Sequence, residues 1–237
     1  MDRRGWLLAV VLGASLVGPV LAGPSGPCLK ETLDVYLVEG SCAIGDVIFK
    51  DFSYSHTGFP ILESQILVGP FVSPQGPHLL FSSTAFSVVA GQQAVLDLIY
   101  NIDPPPIIIR GFEEEMFAET PHPPGSVTID TWLCVGGFFP DCTGGGEVSL
   151  PQLLLQLAHY GTDNPDNKLT DSIMFDPTSI LGVWHTITLD GGPVGAGGSA
   201  SFTSLGNQAY TVPEPATWLL LGCGLLSLAF LRRRRAG

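Results

Sequence analysis

Between residues 46 and 210 the chain is built from short runs in which apolar and polar side chains alternate, the period expected of half-buried strands. The run 46–55 is aromatic and β-branched as well as alternating, and similar runs occupy 66–68, 79–90, 94–102, 107–111 and 126–135. The series continues at 147–160, 184–189 and 200–210. Turn-forming clusters separate them: Gly69-Pro70, residues 74–77, the prolines of 103–106, and residues 123–125 and 190–193. Many short strands with Gly and Pro punctuation predict a mainly β chain folded as an antiparallel β-sandwich, of jelly-roll or Ig-like type. The segment 150–160 also carries good helix formers, with Pro151 suited to a first helical turn; its alternating neighbours favour a strand. The Gly-rich stretch 191–201 reads as a long hairpin loop, and 207–215 as a tether.

The alternation fails at both ends, where apolar residues run without interruption. At the start, Arg3 and Arg4 precede an apolar run over 6–17, and small residues follow near Ala22. That order describes a Sec-type signal peptide over 1–22, for delivery through the Sec translocon. The β-sandwich domain is then expected over 23–206. At the other end, Val212-Pro213-Glu214-Pro215 leads into a 16-residue apolar run at 216–231, and Arg232, Arg233, Arg234 and Arg235 open the tail 232–237. Four arginines stop transfer and stay cytoplasmic, so residues 216–231 read as a transmembrane helix with Pro213, Glu214 and Pro215 on the outer side. The two prolines cannot continue a helix backwards, which keeps the tripeptide extended and accessible.

Pro-Glu-Pro, a hydrophobic helix and a basic tail, in that order and spacing, resemble the PEP-CTERM sorting signal of Gram-negative bacteria. The resemblance covers about the last 26 residues. It implies that the chain is a substrate of an exosortase, an integral-membrane cysteine transpeptidase, and not itself a sorting enzyme. Residues 40–54, 85–92 and 201–210 are similar to the bodies of uncharacterised PEP-CTERM proteins, which implies a shared β-rich domain and no known activity.

Removing both ends changes the electrostatics. The whole chain has a formal charge of −12, but residues 23–212 keep only Lys30, Lys50, Arg110 and Lys168 against twenty acids, a net −16. An acidic body of this kind lacks the basic footprint that nucleic-acid binding requires. Gly and Pro together make up 49 of 237 residues, more than usual yet short of low-complexity disorder, and 45% hydrophobic content leaves enough for a core.

Export also fixes the chemistry of the cysteines. Cys28, Cys42, Cys134 and Cys142 lie in the body, an even number in an oxidising compartment, so they are disulfide candidates. Four cysteines allow three pairings, and their clustering favours Cys28 with Cys42 and Cys134 with Cys142. Metal ligation would need closer Cys spacing or a nearby His pair, so no metal is expected.

Catalytic signals are sparse. His56, His78, His122, His159 and His185 show no ligand spacing, and each reads as a strand or loop residue; His185 beside Trp184 reads as packing. There is no Gly-x-Ser-x-Gly elbow and no phosphate-cradling glycine run. Glu113, Glu114, Glu115 and Glu119 form the densest acidic cluster, which reads as a solvated face rather than a glycosidase pair. The Asp163–Asn167 stretch has oxygen ligands but not the EF-hand pattern, and an Asx-rich turn is its default reading. The expected protein is therefore a non-enzyme without cofactor. The PEP-CTERM resemblance, which links such substrates to exopolysaccharide-producing bacteria, implies passage through the inner membrane to the cell envelope or the outside, and a structural or adhesive role in association with exopolysaccharide. The alternative is a carbohydrate-binding module that stacks sugars on Tyr54, Phe59, Trp132 or Phe138. A secreted hydrolase stands third.

Overall fold

From Ser126 to Val135 buried and half-buried side chains alternate until the last three residues, and similar alternation recurs over Leu181–Asp190 and Gln93–Asp103. Such strands can hide one face only by pairing into a sheet and covering it with a second. The computed structural model shows this. It describes residues 26–73, 76–103, 107–117, 122, 124–142, 152–157 and 168–213. In chain order the strands are β1 (Glu31–Thr32), β2 (Ser41–Ile44), β3 (Val47–Gly58), β4 (Leu67–Ser73) and β5 (Gly76–Ser82). They continue as β6 (Ser87–Val89), β7 (Gln93–Asp103), β8 (Ile107–Phe117), β9 (Ser126–Val135) and β10 (Gln152–Leu157). The last are β11 (Thr170–Thr178), β12 (Leu181–Asp190), β13 (Ser199–Ser201) and β14 (Ser204–Pro213).

Two six-stranded sheets result, ordered β10-β9-β12-β7-β3-β2 and β1-β4-β5-β14-β8-β11, with a small β13-β6 pair beside them. Every pairing between these strands is antiparallel. Setting aside β6 and β13, the chain from β5 onwards crosses between the sheets at each step except β9 to β10. It builds the four-strand orders β5-β14-β8-β11 and β10-β9-β12-β7, the double Greek key of a jelly roll. Phe81 meets Tyr100 at 5.8 Å and Phe112 meets His185 at 6.4 Å, contacts that join one sheet to the other through a single core. Each fully buried Phe there contributes roughly 1.5–3 kcal/mol by leaving water.

The short helix α1 (Leu33–Glu39), which the alternation did not reveal, buries Leu33 and Tyr36. It stops at Gly40, whose φ of 76° lets its N–H bond Tyr36 O. Two disulfides brace the fold: Cys28–Cys42 ties the first described segment to β2, and Cys134–Cys142 ties the end of β9 to the loop that follows. Asn101 secures the same loop, accepting from Phe139 N at 2.9 Å and donating to Phe139 O at 3.2 Å.

Several boundaries differ from the sequence reading. The run 79–90 is two strands, because β5 and β6 pair in different sheets. The strand begun at Ile107 continues to Phe117 and takes the glutamates with it. The stretch 191–201 does not close a hairpin: its end is β13, which pairs with β6. The tether expected over 207–215 is corrected most sharply. Residues up to Pro213 belong to β14, an inner strand paired with both β5 and β8. The domain therefore extends past 206. The signal peptide over 1–22, the helix over 216–231 and the tail 232–237 lie outside the described residues. Among the described residues no helix is long and apolar enough to cross a membrane.

Candidate functional site

Because β14 lies between β5 and β8, three rows of side chains cross the outer face of its sheet. Register places Phe71, His78, Gln208, Glu113 and Ser172 in one row. The next holds Gly69, Leu80, Gly206, Glu115 and Thr170, and the third Leu67, Ser82, Ser204 and Phe117. Gly206 has no side chain to fill the middle row, so the sheet carries a groove of about 410 Å³ over it. Phe71 and Phe117 flank this groove with 60% and 44% of their surface exposed, unusual for large apolar rings. Glu115 is exposed and Glu113 half-buried on the same wall. The Phe71 ring packs edge-on against His78 at 5.5 Å, and burial lowers the His78 pKa, favouring the neutral ring. Apolar rings beside carboxylates in an open trough offer stacking and hydrogen-bond acceptance to a polar, flat-faced ligand.

Behind this face lies a second polar group. Glu114 and Asn207 are register partners on the inner side of the same sheet, and Thr131 and His185 are register partners on the inner side of the other. The Thr131 hydroxyl donates to Glu114 Oε2 at 2.6 Å and lies 2.6 Å from His185 Nδ1. A hydroxyl has one proton, so donating it to Glu114 leaves its oxygen to accept from His185 Nδ1–H. This corrects two expectations. Glu114 does not belong to a solvated face, because strand alternation turns it inward between Glu113 and Glu115, and His185 is a hydrogen-bonded core residue rather than only packing beside Trp184. Both are 0% exposed, so substrate has no route to them. Tyr100 stands beside them, its ring 5.8 Å from His185, and burial together with the Glu114 charge holds its pKa well above the usual phenol value.

The proposed stacking residues do not converge. Tyr54 turns its ring to the core and donates its hydroxyl to Ile61 O. Phe59 lies just beyond the end of β3, and the Phe138 ring lies 4.3 Å beneath Lys50 Nζ. Trp132 is on the outer face of the opposite sheet, across from Trp184, whose Nε1 donates to Asp97 Oδ1 at 3.0 Å. His56 packs near Tyr54 at 5.9 Å and His122 is exposed, while His159, Glu119 and residues 163–167 lie outside the described residues. Among the described residues no three His, Cys, Asp or Glu side chains gather where they could hold a metal ion. The cysteines join as Cys28–Cys42 and Cys134–Cys142, with Cα atoms 4.8 and 5.5 Å apart. Pro213 ends β14 opposite Ile107; Glu214, Pro215, Arg232, Arg233, Arg234 and Arg235 lie outside the described residues. Phe71 and Phe117 escaped the sequence reading because each sits near a strand end among turn residues. Only the pairing of β4 and β8 around β5 and β14 brings them to one groove.

Compared with known families, the chain's last segment is distinctive. Residues 211–235 are a PEP-CTERM protein-sorting motif. The motif implies processing by an exosortase and marks an exported chain with a C-terminal membrane-anchoring sorting signal. No curated protein matches the chain. Among solved structures it is similar to the enzymatically active domain of bacteriophage CBA120 tailspike protein 4, at TM-score 0.28 and 8% identity over 68% of this chain and 19% of that one. It is also similar to TmCBM61 in complex with β-1,4-galactotriose, at TM-score 0.27 and 12% identity over 68% of this chain and 88% of that one. A carbohydrate-binding module of the β-sandwich superfamily gives TM-score 0.27 and 10% identity over 80% and 64%. Likenesses this distant say nothing about what the chain binds. The PEP-CTERM motif and the groove meet in one element, since β14 supplies Ser204, Gly206 and Gln208 to the groove and Pro213 to the motif.

Proposed function

We propose that the exported domain is a non-enzymatic matrix or surface protein that holds exopolysaccharide, and that the groove on the outer face of β5, β14 and β8 is where the glycan lies. One observation carries the reading: Phe71 and Phe117 stand exposed on either side of Gly206, with Glu113 and Glu115 beside them. Pyranose rings have an apolar face and a rim of hydroxyls. Exposed phenyl rings complement the first and carboxylates accept hydrogen bonds from the second. A trough of about 410 Å³ on a sheet face falls in the range of small-ligand sites, enough for a short segment of polymer.

In this reading residues 1–22 direct the chain through the Sec translocon. Exosortase acts at Pro213, Glu214 and Pro215 and releases the domain from its transient place in the inner membrane to the envelope or beyond. Polysaccharide affinity electrophoresis of the mature protein tests the binding, with retardation expected for the native chain and lost in Phe71→Ala/Phe117→Ala. Equal mobility with and without polysaccharide overturns it. Mass spectrometry of the mature protein from cells with and without exosortase tests the sorting step, with a shortened C-terminus expected only in the former.

A further inference from the structure

We infer that the groove prefers glycans carrying free amines over uncharged and acidic ones. The inference rests on the glycan-binding reading above and names the ligand class of the same site. Glu113 and Glu115 are two residues apart on β8, so both side chains leave the outer face from backbone positions about 7 Å apart along the strand. Glu113 lies in the row of Phe71 and His78 and Glu115 in the Leu80 row, on the β8 wall that also carries Phe117. None of the body's four basic residues lines the groove. Lys50 is paired with Asp103 at 2.8 Å and Lys168 with Asp171 at 2.6 Å. Arg110 sits at the irregularity of β8 between Gly111 and Ile109, and Lys30 lies against Gly69 in the adjoining hollow, on the far side of Phe71 and Leu80 from β8. His78 adds no countercharge, because burial favours its neutral form. The domain around the groove is itself strongly acidic. A sugar stacked on Phe71 or Phe117 therefore meets two carboxyl side chains. An ammonium on that sugar forms charge-assisted bonds to them, whereas a uronate is repelled. Both glutamates keep solvent contact, so the preference weakens as salt screens it.

Titration calorimetry of the mature protein distinguishes the possibilities. The probes are a chitosan oligosaccharide, its fully N-acetylated counterpart of equal length, and an oligogalacturonate. The expected result is binding of the amine form at least ten-fold tighter than the acetylated form, no binding of the acid, and a margin that shrinks with added salt. Glu113→Gln/Glu115→Gln removes the margin, while the charge-matched pair Glu31→Gln/Glu39→Gln, on β1 and α1, keeps it. Equal binding of amine and acetylated oligomers overturns the inference and leaves the glycan groove standing. So does an equal loss in both charge-matched pairs, which would trace the preference to net charge. Failure of every probe, with the Phe71→Ala/Phe117→Ala variant indistinguishable from native, overturns the inference together with the function it rests on.

Discussion

Glu114 Oε2 lies 3.5 Å from His185 Nδ1 across the two facing sheets, and both side chains are fully buried. The Thr131 hydroxyl touches both, so the three side chains close a polar bridge across the core between the two sheets. Removing one member leaves the others desolvated without their partner.

Single replacements in that bridge are therefore expected to cost more than their size suggests. Thr131→Val should lower stability by about 1–3 kcal/mol. His185→Leu, which takes the partner from the buried Thr131 oxygen and the imidazole from beside Glu114, should cost about 1–3 kcal/mol. Glu114→Leu/His185→Leu should cost less than the sum of its single changes, since the two side chains that face each other are removed together. Denaturant melts of the four proteins measure the coupling, and simple additivity would refute it.

Chain truncation separates the two placements of the domain's end. A chain stopped at residue 206 keeps the domain bounds expected from the sequence, 23–206, yet it removes most of the strand joining β5 to β8. That chain is expected to be unfolded by circular dichroism, and one stopped at residue 213 to melt cooperatively. A cooperative melt of the shorter chain would show that β14 is dispensable.

On the groove face, Phe71→Ala and Phe117→Ala should each weaken polysaccharide binding several-fold, in line with about 0.5–1.5 kcal/mol per aromatic contact. Both rings are largely exposed, so the melting temperature should hardly move. A large drop in stability would make them packing residues instead.

Acid sensitivity should carry a contribution from His78. Burial disfavours its imidazolium, so on acidification the unfolded chain takes up a proton near pH 6.5 that the folded chain resists. The associated stability is present above pH 6.5 and declines as pH falls from there towards the lower folded value. His78→Gln should flatten stability between pH 7 and 5 relative to native; an unchanged slope would rule the contribution out.

The sequence by itself determined the C-terminal sorting motif, the antiparallel β character and the acidity of the body, because each is written in contiguous residues: Pro213-Glu214-Pro215 with its arginine tail, a period of two, a count of charges. The run Ser126–Val135 could be placed residue for residue, since alternation over ten positions leaves one register that buries Val127, Ile129 and Leu133. Tertiary structure alone decided what those strands do together. Three consecutive glutamates look equally polar, but a strand must turn alternate residues to opposite faces. Glu114 therefore went inside to meet Thr131 and His185, and Glu113 and Glu115 went out to the groove. Phe71 and Phe117 are 46 positions apart, and neither residue's neighbours say that β5 and β14 will bring them to one trough. For the same reason the apparent tether before the sorting motif became an inner strand: its two partners, β5 and β8, lie far away in sequence, and strand pairing is a contact between distant segments that local pattern does not encode.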